Sequence, residues 1–344
     1  MKTMLKAAVL TVAGALTLTA CASADGGSGA ASDTTIGIYG FAVPQAANEA
    51  IEAEFKKTSD GKDVTFIQSY GPSGDQSRKV ADTKGKDVDY VHFSLEPDVT
   101  RLVDAGLVAD DWNTGPTKGI VSSSVAVIAV KKGNPLGIKD WTDLTKPGVK
   151  VVTADPASSG AARWNVLALY SAARDRGATE EQADTFLKDV FSNVTTWAAS
   201  GREATEAFKK GVGNVLITYE NEAILAKQNG EDLDYIVPDS TFLIENPGAV
   251  LEDADPVATK WLDFVLSDKG QTEFVKKGFR PVGDFDASGI EVEGANDPAA
   301  PFPTPGKLTT IADLGGWSAV NKEWFGKDGV KLRFDRLYAE ATKK

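Results

Sequence analysis

The chain has 344 residues, of which 42% are apolar and 25% charged, the make-up of an ordinary globular protein long enough for two sizeable cores. Its 49 acidic residues outnumber 37 basic ones, and the net charge of −12 speaks against a nucleic-acid groove. A single cysteine excludes an intramolecular disulfide and a cysteine-based metal site, so stability has to come from packing.

The chain opens with basic MKTMLK and continues with an apolar run, Ala7 to Leu18, the pattern of an export signal and too short for a permanent membrane span. Leu18-Thr19-Ala20-Cys21 closes it and resembles the lipobox cut by the lipoprotein signal peptidase of bacteria, with Cys21 left as the acylated first residue. The expected layout is a signal peptide over 1–20 and a flexible tether over 21–33, the mature protein being held by its lipid on the outer face of the cell membrane or in the periplasm. No later stretch is apolar for the length that a transmembrane helix needs.

Beyond the tether, short apolar runs alternate with helical patterns: TTIGIYG (34–40), the helical AANEAIEAEFKK, VTFIQS (64–69), a helix from Asp75, then VDYVHFS (88–94). This alternation predicts a mainly parallel sheet with helices on both faces and ligands at the carboxyl ends of strands. A second cycle runs through SSSVAVIAVKKGNP (122–135), KVVTAD (150–155), helices across 160–191 and VLITY (215–219), closing near STFLIEN (240–246). WLDFVLS (261–267) and several helices follow. The restart implies two α/β lobes, lobe 1 over 34–124 and 246–344 and lobe 2 over 125–245, the chain crossing over, crossing back and finishing on the first.

Three places share one design, a strand that ends in a Ser/Gly turn and opens a helix: Gly71-Pro72-Ser73-Gly74, Ser158-Ser159-Gly160-Ala161-Ala162, and Ala199-Ser200-Gly201-Arg202. Helix N-termini carry unpaired N–H groups and the positive end of the dipole, and Ser with Gly lets an oxyanion approach the backbone while adding hydroxyl donors. Each turn alone is an ordinary cap; three in a two-lobed α/β chain point to an anion.

DWTDLTKPGVKVVTADPASSGAARWN (140–165), VFSNVTTWAASGREATEAFKKGVGNVLITYENEAILA (190–226) and the stretch from FRPVGD to LGGWSAVNKEWF resemble the periplasmic sulfate-binding proteins of ABC transporters, relatives of the thiosulfate-binding ones. The resemblance covers nearly all of the chain after the tether and is most specific in SSGAARWN and YENEAILA. It implies an α/β, two-lobed type II periplasmic-binding-protein fold with a dehydrated sulfate held by uncharged donors in the cleft between the lobes. The donors implied are the Ser159 hydroxyl, the N–H groups of Gly160 and Ala161, Ser73 on the facing lobe and the Gly201 N–H. The family also offers an N–H just after its first strand; here YGFAVP looks like it carries a small insertion, which points to Ala42, with Phe41 as the alternative. Where the family usually has a tryptophan indole before ENEA, this chain has Tyr219, whose phenol donates but also accepts. The partners implied are sulfate or a related oxyanion and the importer's membrane subunits, with a monomeric binding protein and no cofactor.

Arg163 and Arg202 each lie in the first turn of a helix and oppose its dipole, so an acid or the bound anion should compensate them; the resemblance places both behind the site. Asp75 in GPSGDQ stands where the family often has lysine and is expected to face solvent, in a first helical turn that favours an acid. Glu220 and Glu222, two positions apart on a helix, do not share a face as a catalytic pair would. His92, the only histidine, lies in an apolar strand and reads as a core or cleft-wall residue. With no Gly-x-Ser-x-Gly elbow, no Walker A loop and no metal-ligand cluster, a binding protein is preferred to an enzyme. Among oxyanions, thiosulfate, phosphate and molybdate remain alternatives to sulfate; a donor-only cleft favours the fully ionised one.

Overall fold

The computed structural model describes residues 34–326 and 332–342; the expected signal peptide, tether and Cys21 lie outside the described residues. The first half of the sheet is built from β1 (Thr34–Phe41), α1 (Gln45–Phe55), β2 (Val64–Gly71), α2 (Ser73–Asp82), β3 (Tyr90–His92) and α3 (Glu96–Asp104). The chain then enters the long β4 (Ile120–Lys131) and builds the second half from β5 (Val151–Ala154), α4 (Gly160–Asp175), α5 (Glu180–Ser192), β6 (Val194–Ala198), α6 (Gly201–Lys209), β7 (Val215–Tyr219), α7 (Glu220–Gln228) and β8 (Leu233–Ile236). It returns along β9 (Ser240–Val250) and ends in α8 (Val257–Val265), α9 (Asp268–Lys276), β10 (Lys307–Thr309), α10 (Gly316–Val320) and α11 (Arg333–Thr342).

The strand order is β2-β1-β3-β9-β4-β7-β5-β6, with β8 beside β4 and β10 beside β9. Within each half the expected parallel pairing holds: β1 runs parallel to β2 and β3, and β5 to β6 and β7. At the join it does not. β9 is antiparallel to β3, and β4 is antiparallel to β7, β8 and β9. The reason is connectivity: the strand that leaves one half and the strand that comes back necessarily run in opposite senses. β4 pairs with β9 from Ile120 to Val125 and with β7 from Ala126 onward, so one strand belongs to both halves. Its continuous apolar run is buried from Val121 to Val130, as suits a strand covered on both faces.

Packing explains the helices. Phe55 of α1, Phe66 of β2, Tyr90 of β3 and Trp261 of α8 meet edge to face, with the Phe66 and Trp261 ring centres 5.0 Å apart. In the second half Trp164 of α4 packs against Phe242 and Trp317, and α4 is buried on nearly every side. Each fully buried one among these, such as Phe55, Tyr90, Trp164 or Trp261, stabilises the fold by roughly 1.5–3 kcal/mol.

The C-terminal stretch departs from the expectation that 246–344 finishes on lobe 1. Helices α8 and α9 do pack on α1, but α11 lies on α5, where Arg333 pairs with Asp184, and Val292 and Ala295 join the apolar cluster under α7 and β8. Aromatic residues decide this: Trp317, Trp324 and Phe334 find their partners in Trp164, Tyr170 and Phe191, all on the second half.

Candidate functional site

The three Ser/Gly turns end β2, β5 and β6 and open α2, α4 and α6, as the residue pattern implied. They converge. A Cβ added to Gly201 would lie 3.1 Å from the Ala161 Cβ and 3.4 Å from a Val43 methyl, so the heads of α4 and α6 and the turn after β1 meet at one point. A Cβ on Gly160 would fall 2.7 Å from the Cβ of Ser94, and one on Gly74 3.3 Å from the Ser158 carbonyl, which puts residues from both halves face to face. Glycine at 160 is required by this approach.

Hydrogen-bond accounting separates the expected donors. Gly160 and Ala161 are the first two residues of α4 and Gly201 the first of α6; their N–H groups have no partner among the described residues. Ser159 precedes α4 in extended conformation, is 2% exposed, and makes no capping bond through its side chain. The Ser200 hydroxyl, by contrast, accepts from Glu203 N–H at 3.1 Å and is an ordinary cap.

Two assignments shift. Ser73 was expected to donate through its hydroxyl, but its proton goes to the Asp98 carboxylate at 2.6 Å while its oxygen accepts from Ser94 N–H at 2.9 Å. A serine has one hydrogen, and this one is committed. Ala42 was expected to donate through its amide, but that N–H continues the β1/β2 ladder to the Gly71 carbonyl at 3.0 Å. The next residue, Val43, is 2% exposed and its N–H has no partner among the described residues, so it is the amide left over after β1. Phe41, the alternative, is a wall: its ring lies 5.6 Å from His92 and 6.5 Å from Tyr219.

Tyr219, the last residue of β7, is 1% exposed, and its hydroxyl is 2.9 Å from that of Ser94. Burial pushes its phenol well above the ordinary value, so it is a neutral O–H at any physiological pH. Ser94 itself is clamped: its carbonyl accepts from the Trp164 indole at 3.0 Å and from the Asn246 amide at 3.1 Å. Ser94, Asn246, Val43 and Asp98 were not singled out in the sequence; the only cue was a serine ending the apolar VDYVHFS.

The charged neighbours are arranged behind this point. Burial pulls the Arg202 guanidinium down, but Glu222 more than offsets it and the net shift is upward; the pair is joined at 2.7 and 3.0 Å, and Arg202 also donates to the Val43 carbonyl at 3.1 Å. Arg163 has no carboxylate partner among the described residues. It reaches only the Pro156 carbonyl and Asn321 at 3.4 Å, stacks on Phe325, and burial lowers its pKa. Glu220 turns the other way to Arg280 at 2.7 Å, so the two glutamates serve two separate ion pairs. Asp75 is exposed and paired with Arg78. His92 is fully buried between Asn48 and Ser122 at 3.2 and 3.1 Å, and burial lowers its pKa to about 3, which leaves it a neutral wall residue.

Such a cluster, made of main-chain amides and hydroxyls with no unpaired carboxylate, can hold a desolvated anion by charge-assisted hydrogen bonds but supplies no evident nucleophile with a base beside it. Residues 36–280 match the family model described as bacterial extracellular solute-binding protein. The chain is 42% identical over 344 residues to a sulfate-binding protein of Synechococcus elongatus, covering 95% of each, and 37% identical over 312 residues to one of Synechocystis, covering 87% of this chain and 85% of that one. Among solved structures it is similar to the sulfate-binding protein SubI of Mycobacterium tuberculosis, with a TM-score of 0.79, 42% identity, and coverage of 85% of this chain and 100% of that one. The two halves joined by β4 and β9 are the lobes of that fold, and the chain belongs to the bacterial extracellular solute-binding protein family.

Proposed function

We propose that the protein captures sulfate between its two lobes and delivers it to the membrane subunits of an ABC importer, tethered to the membrane through lipid on Cys21. The observation that carries this reading is the meeting of four main-chain N–H groups without a partner among the described residues, those of Val43, Gly160, Ala161 and Gly201, with Tyr219 and the Ser159 hydroxyl, which makes no capping bond. Sulfate is fully ionised at neutral pH and only receives hydrogen bonds, and these groups give them. Phosphate keeps a proton and wants an acceptor. Of the buried carboxylates around the cluster, Asp98 is already filled by Ser73 and by Arg101 at 3.1 Å and Glu222 by Arg202, and Asp75 is out in solvent, which supports sulfate over phosphate.

The lobe assignment that fits this reading is 125–245 plus the C-terminal segment from about 285 for lobe 2, and the remainder for lobe 1. The protein works as a monomer and carries out no turnover. Calorimetric titration with sulfate, thiosulfate, phosphate and molybdate tests it: tight 1:1 sulfate binding with phosphate silent is expected, and phosphate binding with sulfate silent would overturn the ligand assignment.

A further inference from the structure

A phenol is an awkward group to aim at an anion. It carries one hydrogen and two lone pairs, and a lone pair turned toward a desolvated oxyanion repels it, whereas an indole N–H has nothing to repel with. Tyr219 is fully buried beside the amide cluster, so no water is at hand to fill those lone pairs. Two protein groups lie against its oxygen. The Ser94 hydroxyl is 2.9 Å away, and the Asn246 carboxamide stands beside it, bonded to the Ser94 carbonyl at 3.1 Å. Both draw the phenol's pKa down against the larger upward push of burial.

The neighbours of these two groups hold them in place. The Asn246 side chain gives its N–H to the Ser94 carbonyl at 3.1 Å, so its nitrogen end faces this corner. The Ser94 backbone is held at both ends, its N–H on Ser73 and its carbonyl under the Trp164 indole, so its hydroxyl has little freedom to swing away from Tyr219. Gly160 stands close enough to block the other side.

We propose that Ser94, supported by Asn246, is a positioning residue that gives its hydrogen to the Tyr219 oxygen and so turns an ambivalent phenol into a donor-only group aimed at the anion. Ser94 lies on lobe 1 and Tyr219 on lobe 2, so the arrangement is complete only with the cleft closed. This inference rests on the sulfate reading above and specifies how one of its donors is made selective.

The test is a two-by-two comparison of sulfate and phosphate affinity in the mature protein, Ser94→Ala, Tyr219→Phe and the double variant. Ser94→Ala alone is expected to weaken sulfate by roughly tenfold or more and to narrow the sulfate-over-phosphate ratio, because a phenol lone pair is freed to accept. In the Tyr219→Phe background the same change should cost less than about twofold, since no phenol oxygen is left to orient. Equal costs in both backgrounds, or an unchanged ratio in Ser94→Ala, would overturn the inference while leaving sulfate binding by the unaltered protein intact. Failure of the unaltered protein to bind sulfate would instead remove the reading on which it rests.

Discussion

The heads of α4 and α6 read almost alike, Ser-Gly-Ala-Ala-Arg against Ser-Gly-Arg-Glu, and the fold uses them differently. At α6 the serine caps its own helix and the arginine is neutralised by a buried glutamate. At α4 the serine makes no capping bond and the arginine has no acid partner among the described residues. At one head the serine and the arginine are satisfied within their own lobe and the Gly201 N–H is left over; at the other, among the described residues, the serine hydroxyl has no acceptor and the arginine no carboxylate. The local sequence motif is therefore shared, and tertiary surroundings decide which copy keeps its groups free for an anion.

The largest effect expected from this contrast is at the glycines. Gly160→Ala places a methyl against Ser94 and should cost up to about 3 kcal/mol of closed-state energy, roughly a hundredfold in sulfate affinity, whereas Gly201→Ala, whose nearest neighbours are a methyl at 3.1 Å and another at 3.4 Å, should lose tenfold or less. Equal losses in calorimetry would break the distinction. Next come the serines. Ser159→Ala should weaken binding by about 2 kcal/mol, near thirtyfold, with the melting temperature unchanged; Ser200→Ala should reverse the pattern, lowering stability by about 1 kcal/mol with little change in affinity.

The arginines give a comparison of opposite signs. Glu222→Gln strands a mostly buried guanidinium and should destabilise by about 2 kcal/mol, the usual penalty being reduced because Arg202 is partly solvated. Arg163→Met removes a largely desolvated charge that has no carboxylate in hydrogen-bond reach among the described residues, Asp98 acting on it only from farther off, so stability in denaturant titrations should hold or rise while sulfate affinity falls a few-fold, less so in high salt. A clear destabilisation by Arg163→Met would show that α4 is satisfied after all. The smallest effect concerns pH. Neither head carries a group titrating near neutrality, so sulfate affinity should be flat from pH 8 to 5. Stability should not be flat: His92 has a folded pKa near 3 against an ordinary 6.5, so unfolding takes up a proton, and stability present above that ordinary value is lost by about 1.4 kcal/mol per unit as pH falls below it. A melting curve series in which His92→Gln shows the same acid slope as the unaltered protein would dismiss this.

Much of this was legible in the residues. Strand and helix rhythm placed β1, α1, β2, β4, β5 and β7 within a few positions, and the three turns before α2, α4 and α6 were visible as Ser/Gly pairs. What escaped depends on contacts far apart in the chain. Ser73 looks like a free donor until Asp98, on the next helix, is seen to take its proton. Ala42 and Val43 differ only in which one the β1/β2 register reaches, and register is a property of two strands. Ser94 and Asn246 become meaningful only when the lobes face each other. That α10 and α11 pack on the second half was not legible, because nothing in a helical pattern says which aromatic partners it will meet.

Four of the donors proposed for the anion are peptide N–H groups, and this has a bearing on heredity. A side-chain ligand is erased by almost any missense change at its codon; a peptide N–H survives every replacement except proline, provided the new side chain fits. Random mutagenesis of this cleft should therefore recover few loss-of-function alleles at Val43, Ala161 or Gly201 outside proline and bulky residues, and a dense set at Gly160, where Ser94 and Leu95 in the turn after β3 leave no room for any side chain. A binding site written mostly in the main chain can drift far in sequence while its chemistry stays put.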